Sequence, residues 1–412
     1  MSRLAVLGGD PACTTSFPRW PQWGAREEER LKEALESGYW GLDSVLIREW
    51  EERFARLQGA RFAASVANGT ISLSLALRAR GIGRGDEVIV PSYTFMATAA
   101  AVLWIQAIPV FADIDPGTFN LDPASIRVNL TPRTRAIIPV HIGGCPCDMD
   151  SMVEIAREHN LALIEDAAQA HGAMWNGKGI GAIGDIGSFS FQSSKNLPAG
   201  EGGMLVTDSR EFWEIFTSLK NCGRVPGGAE YEHHTLGTNA RMSAFAAAVL
   251  LAQAERFEEQ FQQRERNWAY LKSALADVPG IALQERDARV DCHALHLLIF
   301  RYEPEGFRGL SREEFMRALS GEGVPCRAGY RPLHQERGFL EDSRNFLAGL
   351  ALPDYASLSL PVTEKVCSET SVWVRQNALL GDTTRHVEEI AQAIRKISRF
   401  SGELAKGTAA SV

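Results

Sequence analysis

The sequence predicts an α/β protein. A large domain on a mostly parallel sheet is followed by a smaller C-terminal α/β domain. Three observations carry this. Short apolar runs alternate with helical runs from Arg61 to Ile164, the rhythm of successive β-α units. The strand runs are apolar at consecutive rather than alternate positions, as strands buried on both faces require. A helical stretch, Met242 to Ala276, then separates this rhythm from a second, shorter set of strands and helices. The expected division is an arm over 1–25, a large domain over 26–260 and a small domain over 261–412.

The arm carries Trp20-Pro21-Gln22-Trp23 and needs a surface to dock on. Arg26 to Glu36 reads as a charged amphipathic helix stopped at Ser37-Gly38, and Val45 to Leu57 as a second. Phe62–Val66 is a strand, Asn68-Gly69-Thr70 a turn, and Ile71–Ala79 a helix that Gly81 ends. Strand Glu87–Val90, helix Thr94–Gln106, and strands Ile108–Phe111 and Ala136–Val140 follow. Asp148 caps a helix running to His159, and Leu161–Ile164 is the next strand. Phe189 and Phe191 alternate with Ser188 and Ser190, which reads as a strand with one apolar face; Met204–Thr207 is its successor. In the last third, His296–Phe300 reads as a strand, and Ser311–Leu319 and His386–Ile397 as helices.

A chain of 412 residues with 45% hydrophobic and 23% charged residues is long enough for a sizeable core and is composed like a soluble globular protein. The net charge of −8 and the lack of a basic stripe argue against nucleic-acid binding. Seven scattered cysteines give no disulfide framework, and Cys145-Pro146-Cys147 has neither redox nor zinc spacing. Cys292, His293 and His296 read as strand residues rather than metal ligands, so no metal is expected. The apolar window Thr94–Phe111 contains Gln106 and Pro109 and fits a buried helix better than a membrane span. With no signal-peptide pattern at the start, a cytoplasmic location is expected.

The chemistry centres on Lys195, in a turn between two buried-looking strands. Burial there favours the neutral amine, which can attack a carbonyl and form a Schiff base. Pyridoxal phosphate needs such a lysine, a carboxylate against its ring nitrogen and a phosphate cradle. Asp166 sits at the mouth of an apolar strand, where ligands gather in open α/β sheets. Asn68-Gly69-Thr70 joins a strand to a helix whose first N–H groups suit phosphate. Ser190 offers a further hydroxyl and Phe95 a ring to stack. The Gly-rich runs Gly81–Gly85 and Gly177–Gly187 lack a nucleotide-loop pattern.

These motifs, in this order, resemble the DegT/DnrJ/EryC1/StrS group of pyridoxal-phosphate sugar aminotransferases, of the fold-type I, aspartate aminotransferase-like superfamily. The resemblance is strongest in Asn68–Thr70, Pro91–Phe95, Pro139–Ile142, Glu165–Gly172, Ser188–Gly203 and Gly237–Met242. It implies that Lys195 carries the cofactor and shuttles the proton, Asp166 pairs with the ring nitrogen and Gln169 contacts the ring hydroxyl. It implies that Phe95 stacks on the ring and that Thr70 and Ser190, with the N–H of Ile71 and close approach at Gly69, hold the phosphate. It also implies a homodimer with a shared site, Asn239 or Arg241 reaching the partner's phosphate, and substrate approaches by His141, His171 and His334. Some relatives carry histidine at the lysine position and dehydrate instead, and Lys195 argues against that here. The implied reaction moves an amino group from glutamate or glutamine to a ketone of a cyclitol or a nucleotide-linked sugar. The rivals are a dehydratase or lyase of the 3-amino-5-hydroxybenzoate synthase kind, and a pyridoxal-phosphate-binding regulator without turnover.

Overall fold

Seven strands build the large sheet of this computed structural model, which describes residues 3–225, 227–229 and 231–409. They are β1 (Phe62–Val66), β2 (Glu87–Pro91), β3 (Ile108–Ala112), β4 (Thr134–Ile137), β5 (Ala162–Asp166), β6 (Ile186–Ser190) and β7 (Gly203–Thr207), in the order β1-β7-β6-β5-β4-β2-β3. The pairs from β3 across to β6 are parallel. Only β7 runs against its neighbours β1 and β6. Strands β2, β3, β5 and β7 are buried along their whole length, which is why their sequences are apolar at successive positions.

The strand ending at Ser190 departs from its expected single apolar face. Ser188 is as buried as Phe189, because its hydroxyl bonds to Ser72 and to the Gly69 carbonyl instead of to water. Phe189 and Phe191 pack edge-on against Phe54. Burying each ring contributes roughly 2–3 kcal/mol.

The helices follow the sequence with shifts at their ends. Ala25–Ser37 and Val45–Gln58 each stop at a glycine in the left-handed region, Gly38 and Gly59. Asp148 caps Met149–Glu158 by accepting from Ser151 N–H at 3.3 Å. The expected Thr94–Gln106 helix is shorter, Ala97–Trp104, with Thr94 and Phe95 in the irregular segment before it. Met242–Ala276 resolves into Ala244–Gln253 and Phe257–Ala274. The closing helix is Glu388–Ala409.

A second, antiparallel sheet orders Ile281–Leu283, Leu297–Tyr302, Ser371–Arg375 and Cys326–Arg327. Its core takes in Leu4 and Cys13 from the arm. Leu333, Phe339, Leu347, Tyr355 and Leu360 instead join the core against the large sheet. Residues 1–2 of the expected arm and 410–412 of the expected small domain lie outside the described residues. Among the described residues no helix is long and apolar enough to cross a membrane.

Candidate active site

Lys195 lies in the loop that joins β6 to β7. The loop is braced by its own backbone: Phe191 N–H donates to Gly202 O at 2.9 Å, Ser193 N–H to Gly200 O at 3.0 Å and Lys195 N–H to Gln192 O at 2.8 Å. Asn196 ties it outward by donating to Ala294 O at 2.6 Å. The Lys195 ammonium has no hydrogen-bond partner among the described residues. Burial pushes its pKa down to about 8, opposed by the Asp166 carboxylate. The loop is held and the amine is free, which is what a nucleophile requires.

Asp166 ends β5 beside this loop, 5% exposed. Its oxygens accept from the Thr98 hydroxyl at 2.8 Å and from Ala168 N–H at 3.3 Å. Burial holds its carboxyl above the usual range, against those two donors and the charge of Lys195. A buried carboxylate with only neutral donors in contact is suited to a cationic ring N–H. Thr98 N–H in turn bonds to Phe95 O at 3.2 Å, so the turn carrying Phe95 is fixed next to Asp166. The Phe95 ring is 62% exposed, an unusual state for a phenylalanine beside a buried acid, and it is open for stacking.

Gln169 is oriented by two contacts. Its Oε1 accepts from Gly143 N–H at 2.8 Å, so its Nε2 is the end that points away, donating to Tyr330 Oη at 2.9 Å. Tyr330 was not singled out by the sequence because it lies far downstream, on the segment that closes the site from the small-sheet side. Its ring packs edge-on against Tyr93 and Trp373.

At the position expected to cradle a phosphate, helix and strand approach closely. A Cβ on Gly69 would fall 2.7 Å from Ser190 Cβ, so only glycine lets the start of helix Gly69–Ala79 lie against β6. The Thr70 hydroxyl and the N–H groups of Gly69 and Thr70 have no partners among the described residues. The reading of Ile71 is corrected: its N–H is taken by the Asn68 side chain at 2.9 Å, which caps the helix. Free amine, buried carboxylate, open ring and open helix start together fit pyridoxal phosphate.

The histidines correct the sequence reading. His141 is fully buried, accepting from Cys147 N–H at 3.0 Å on one nitrogen and lying 3.3 Å from Glu165 on the other. His334 is also fully buried, 2.8 Å from Ser92 Oγ and 3.3 Å from Glu364. Both have spent their ring nitrogens on the protein and have none left for a substrate. His171 is sealed among Phe54, Phe189 and Phe191 with both nitrogens unpartnered. Burial, with Lys195 adding to it, pushes its pKa down to about 3, so it stays neutral behind the lysine. Asn239 is exposed, while Arg241 donates to Asn221 Oδ1 at 2.8 Å. Ala240 O accepts from Ala67 N–H at 2.8 Å, which lays this segment beside the residue before Asn68.

Known proteins resemble this chain over most of its length. The model of the DegT/DnrJ/EryC1/StrS aminotransferase family matches residues 21–393. The chain is 37% identical to the L-glutamine:scyllo-inosose aminotransferase of Streptomyces griseus, over 96% of this chain and 97% of that one. It is 35% identical to the 3-amino-5-hydroxybenzoate synthase of Amycolatopsis mediterranei, over 92% and 98%. The crystal structure of DesI with its TDP-sugar product superposes with a TM-score of 0.82 at 34% identity, covering 98% of each chain. With a family match across most of its length and relatives of this identity, the chain belongs to the DegT/DnrJ/EryC1/StrS aminotransferase family.

Proposed function

We propose that this chain binds pyridoxal phosphate through Lys195 and moves an amino group from glutamine or glutamate onto a ketone of a cyclitol-like ring. The observation that carries the reading is the unpartnered Lys195 amine beside the buried Asp166 carboxylate. Pyridoxal phosphate, once bound, supplies an aldehyde for amines and a ring that draws electrons from the neighbouring carbon. Asp166 holds a proton on the ring nitrogen. Gln169 Nε2 donates to the ring oxygen, its orientation fixed by Gly143. Thr70, Ser190 and the amides of Gly69 and Thr70 hold the phosphate. Lys195 Nζ, low enough in basicity to be neutral part of the time at neutral pH, is placed to take the proton from the amine-bearing carbon of the donor and, in the second half-reaction, to give one to the acceptor carbon that receives the nitrogen. The cyclitol acceptor and glutamine donor rest on the relatives' names.

A homodimer with a shared site fits the exposed apolar segment Tyr39, Trp40, Leu42 and Val45. Trp40 O accepts from Ala244 N–H at 2.9 Å, so this patch is continuous with the segment bearing Asn239 and Arg241. Asn239, the more exposed of the two, is the better placed to cross. The 3-amino-5-hydroxybenzoate synthase relative supports a second reading, loss of water from an amino-shikimate-like ring.

Borohydride reduction of the holoenzyme followed by peptide mapping tests the attachment, with the label expected on Lys195; a label on another lysine refutes it. Incubation with glutamine and keto-cyclitols, read by mass, separates an aminated product from a dehydrated one.

A further inference from the structure

Residues 294–296 form a strap that joins the lysine loop to Gly143 and Gly144. Ala294 O holds Asn196, the residue next to the lysine, at 2.6 Å. Ala294 N–H donates to Gly144 O at 3.1 Å and His296 N–H to Gly143 O at 2.8 Å. The same Gly143 orients Gln169. The strap therefore touches the lysine loop directly and reaches Gln169 through Gly143. Leu295, in its middle, is fully buried at φ 51°, a left-handed conformation that bulky residues rarely adopt. Such strain persists where surrounding structure enforces it, commonly at functional sites.

The strap positions His296. Its side chain is 6% exposed, and Nδ1 is sealed without a partner. Nε2 also has no partner among the described residues but is not sealed, unlike the nitrogens of His171. Buried polar atoms are nearly always paired, so an unpaired, unsealed one calls for a ligand. Burial, with Lys195, His171 and Arg264 adding to it, holds the imidazole well below its usual range, hence uncharged. A neutral imidazole presents one donor and one acceptor. That suits a hydroxyl and not a carboxylate, which draws its binding from cations.

We propose that His296 Nε2 binds a ring hydroxyl of the acceptor, making it a specificity residue for polyhydroxylated rings. This rests on the aminotransferase reading above. The test uses holoenzyme, with scyllo-inositol as an unreactive polyol probe, in the wild type, His296→Ala and His296→Gln. The expected result is that His296→Ala weakens calorimetric binding of scyllo-inositol and raises KM for a keto-cyclitol about tenfold. The glutamine half-reaction, followed by cofactor absorbance, stays within about twofold, and His296→Gln recovers part of the loss. Unchanged scyllo-inositol binding in His296→Ala overturns the proposal, as does a glutamine half-reaction slowed as much as the acceptor half-reaction. A wild-type holoenzyme that reacts with glutamine yet binds no scyllo-inositol also overturns it and leaves the aminotransferase reading standing. One that reacts with no amino donor overturns that reading instead.

Discussion

The chain buries lysines in two ways. Lys220, 4% exposed, donates to Glu51 at 3.0 Å and to Ser65 O at 2.9 Å. Lys396, equally buried, donates to Glu322 at 2.9 Å and to Asp10 O at 2.6 Å. Lys195 is held by its loop, but its ammonium is left without such partners. The adjacent acids repeat the contrast. Glu165 is saturated by the N–H groups of Gly181, Ile183 and Gly184, whereas Asp166 has a hydroxyl and one long amide contact. Burial alone does not mark a working residue; burial without a matched partner does.

The largest expected effect is at the unmatched pair. Lys195→Ala should lower amino transfer at least about a thousandfold, with circular dichroism unchanged. Asp166→Asn should cost about a hundredfold and shift the absorbance of the bound cofactor, because a neutral amide no longer holds the ring proton. At the matched site the loss moves from rate to stability. Lys220→Met leaves Glu51 without its cation and should reduce unfolding free energy by about 2–3 kcal/mol in urea, with little change in KM. If Lys220→Met instead spared stability and stopped turnover, the distinction would collapse.

The last effect touches no rate, only the pH dependence of the cofactor-free protein. The Lys195 amine titrates near 8 when folded and near 10.5 when unfolded. Between those values the unfolded chain binds more protons, so stability rises with pH across that window and the penalty is complete below about pH 8. Lys195→Met apoprotein should therefore unfold at higher urea than wild type at pH 7, with the gap closing by about pH 10.

Much of this was legible in sequence. The β-α rhythm was readable because most strands carry consecutive apolar residues, and Lys195, Asp166 and Gly69 stood out because their residue types are uncommon at those places. The antiparallel sense of β7 was not, since an apolar run carries no direction. The histidines were misjudged for a related reason: a motif gives spacing along the chain, but not whether a ring turns toward Glu165 or toward the ligand. Tyr330 and His296 drew no notice as site candidates because they arrive from the small-sheet side, Tyr330 161 residues beyond Gln169 and His296 101 residues beyond Lys195.

The interleaving of the two cores sets an order of assembly. The large sheet is sealed in part by Leu333, Phe339, Leu347, Tyr355 and Leu360, while Leu4 and Cys13 wait for the helices and strands that follow residue 268. A ribosome must therefore deliver most of the chain before the sheet face under Leu333–Leu360, or the core that holds Leu4 and Cys13, can shut. A nascent fragment halted near residue 260 would present bare apolar surface to chaperones rather than a finished unit.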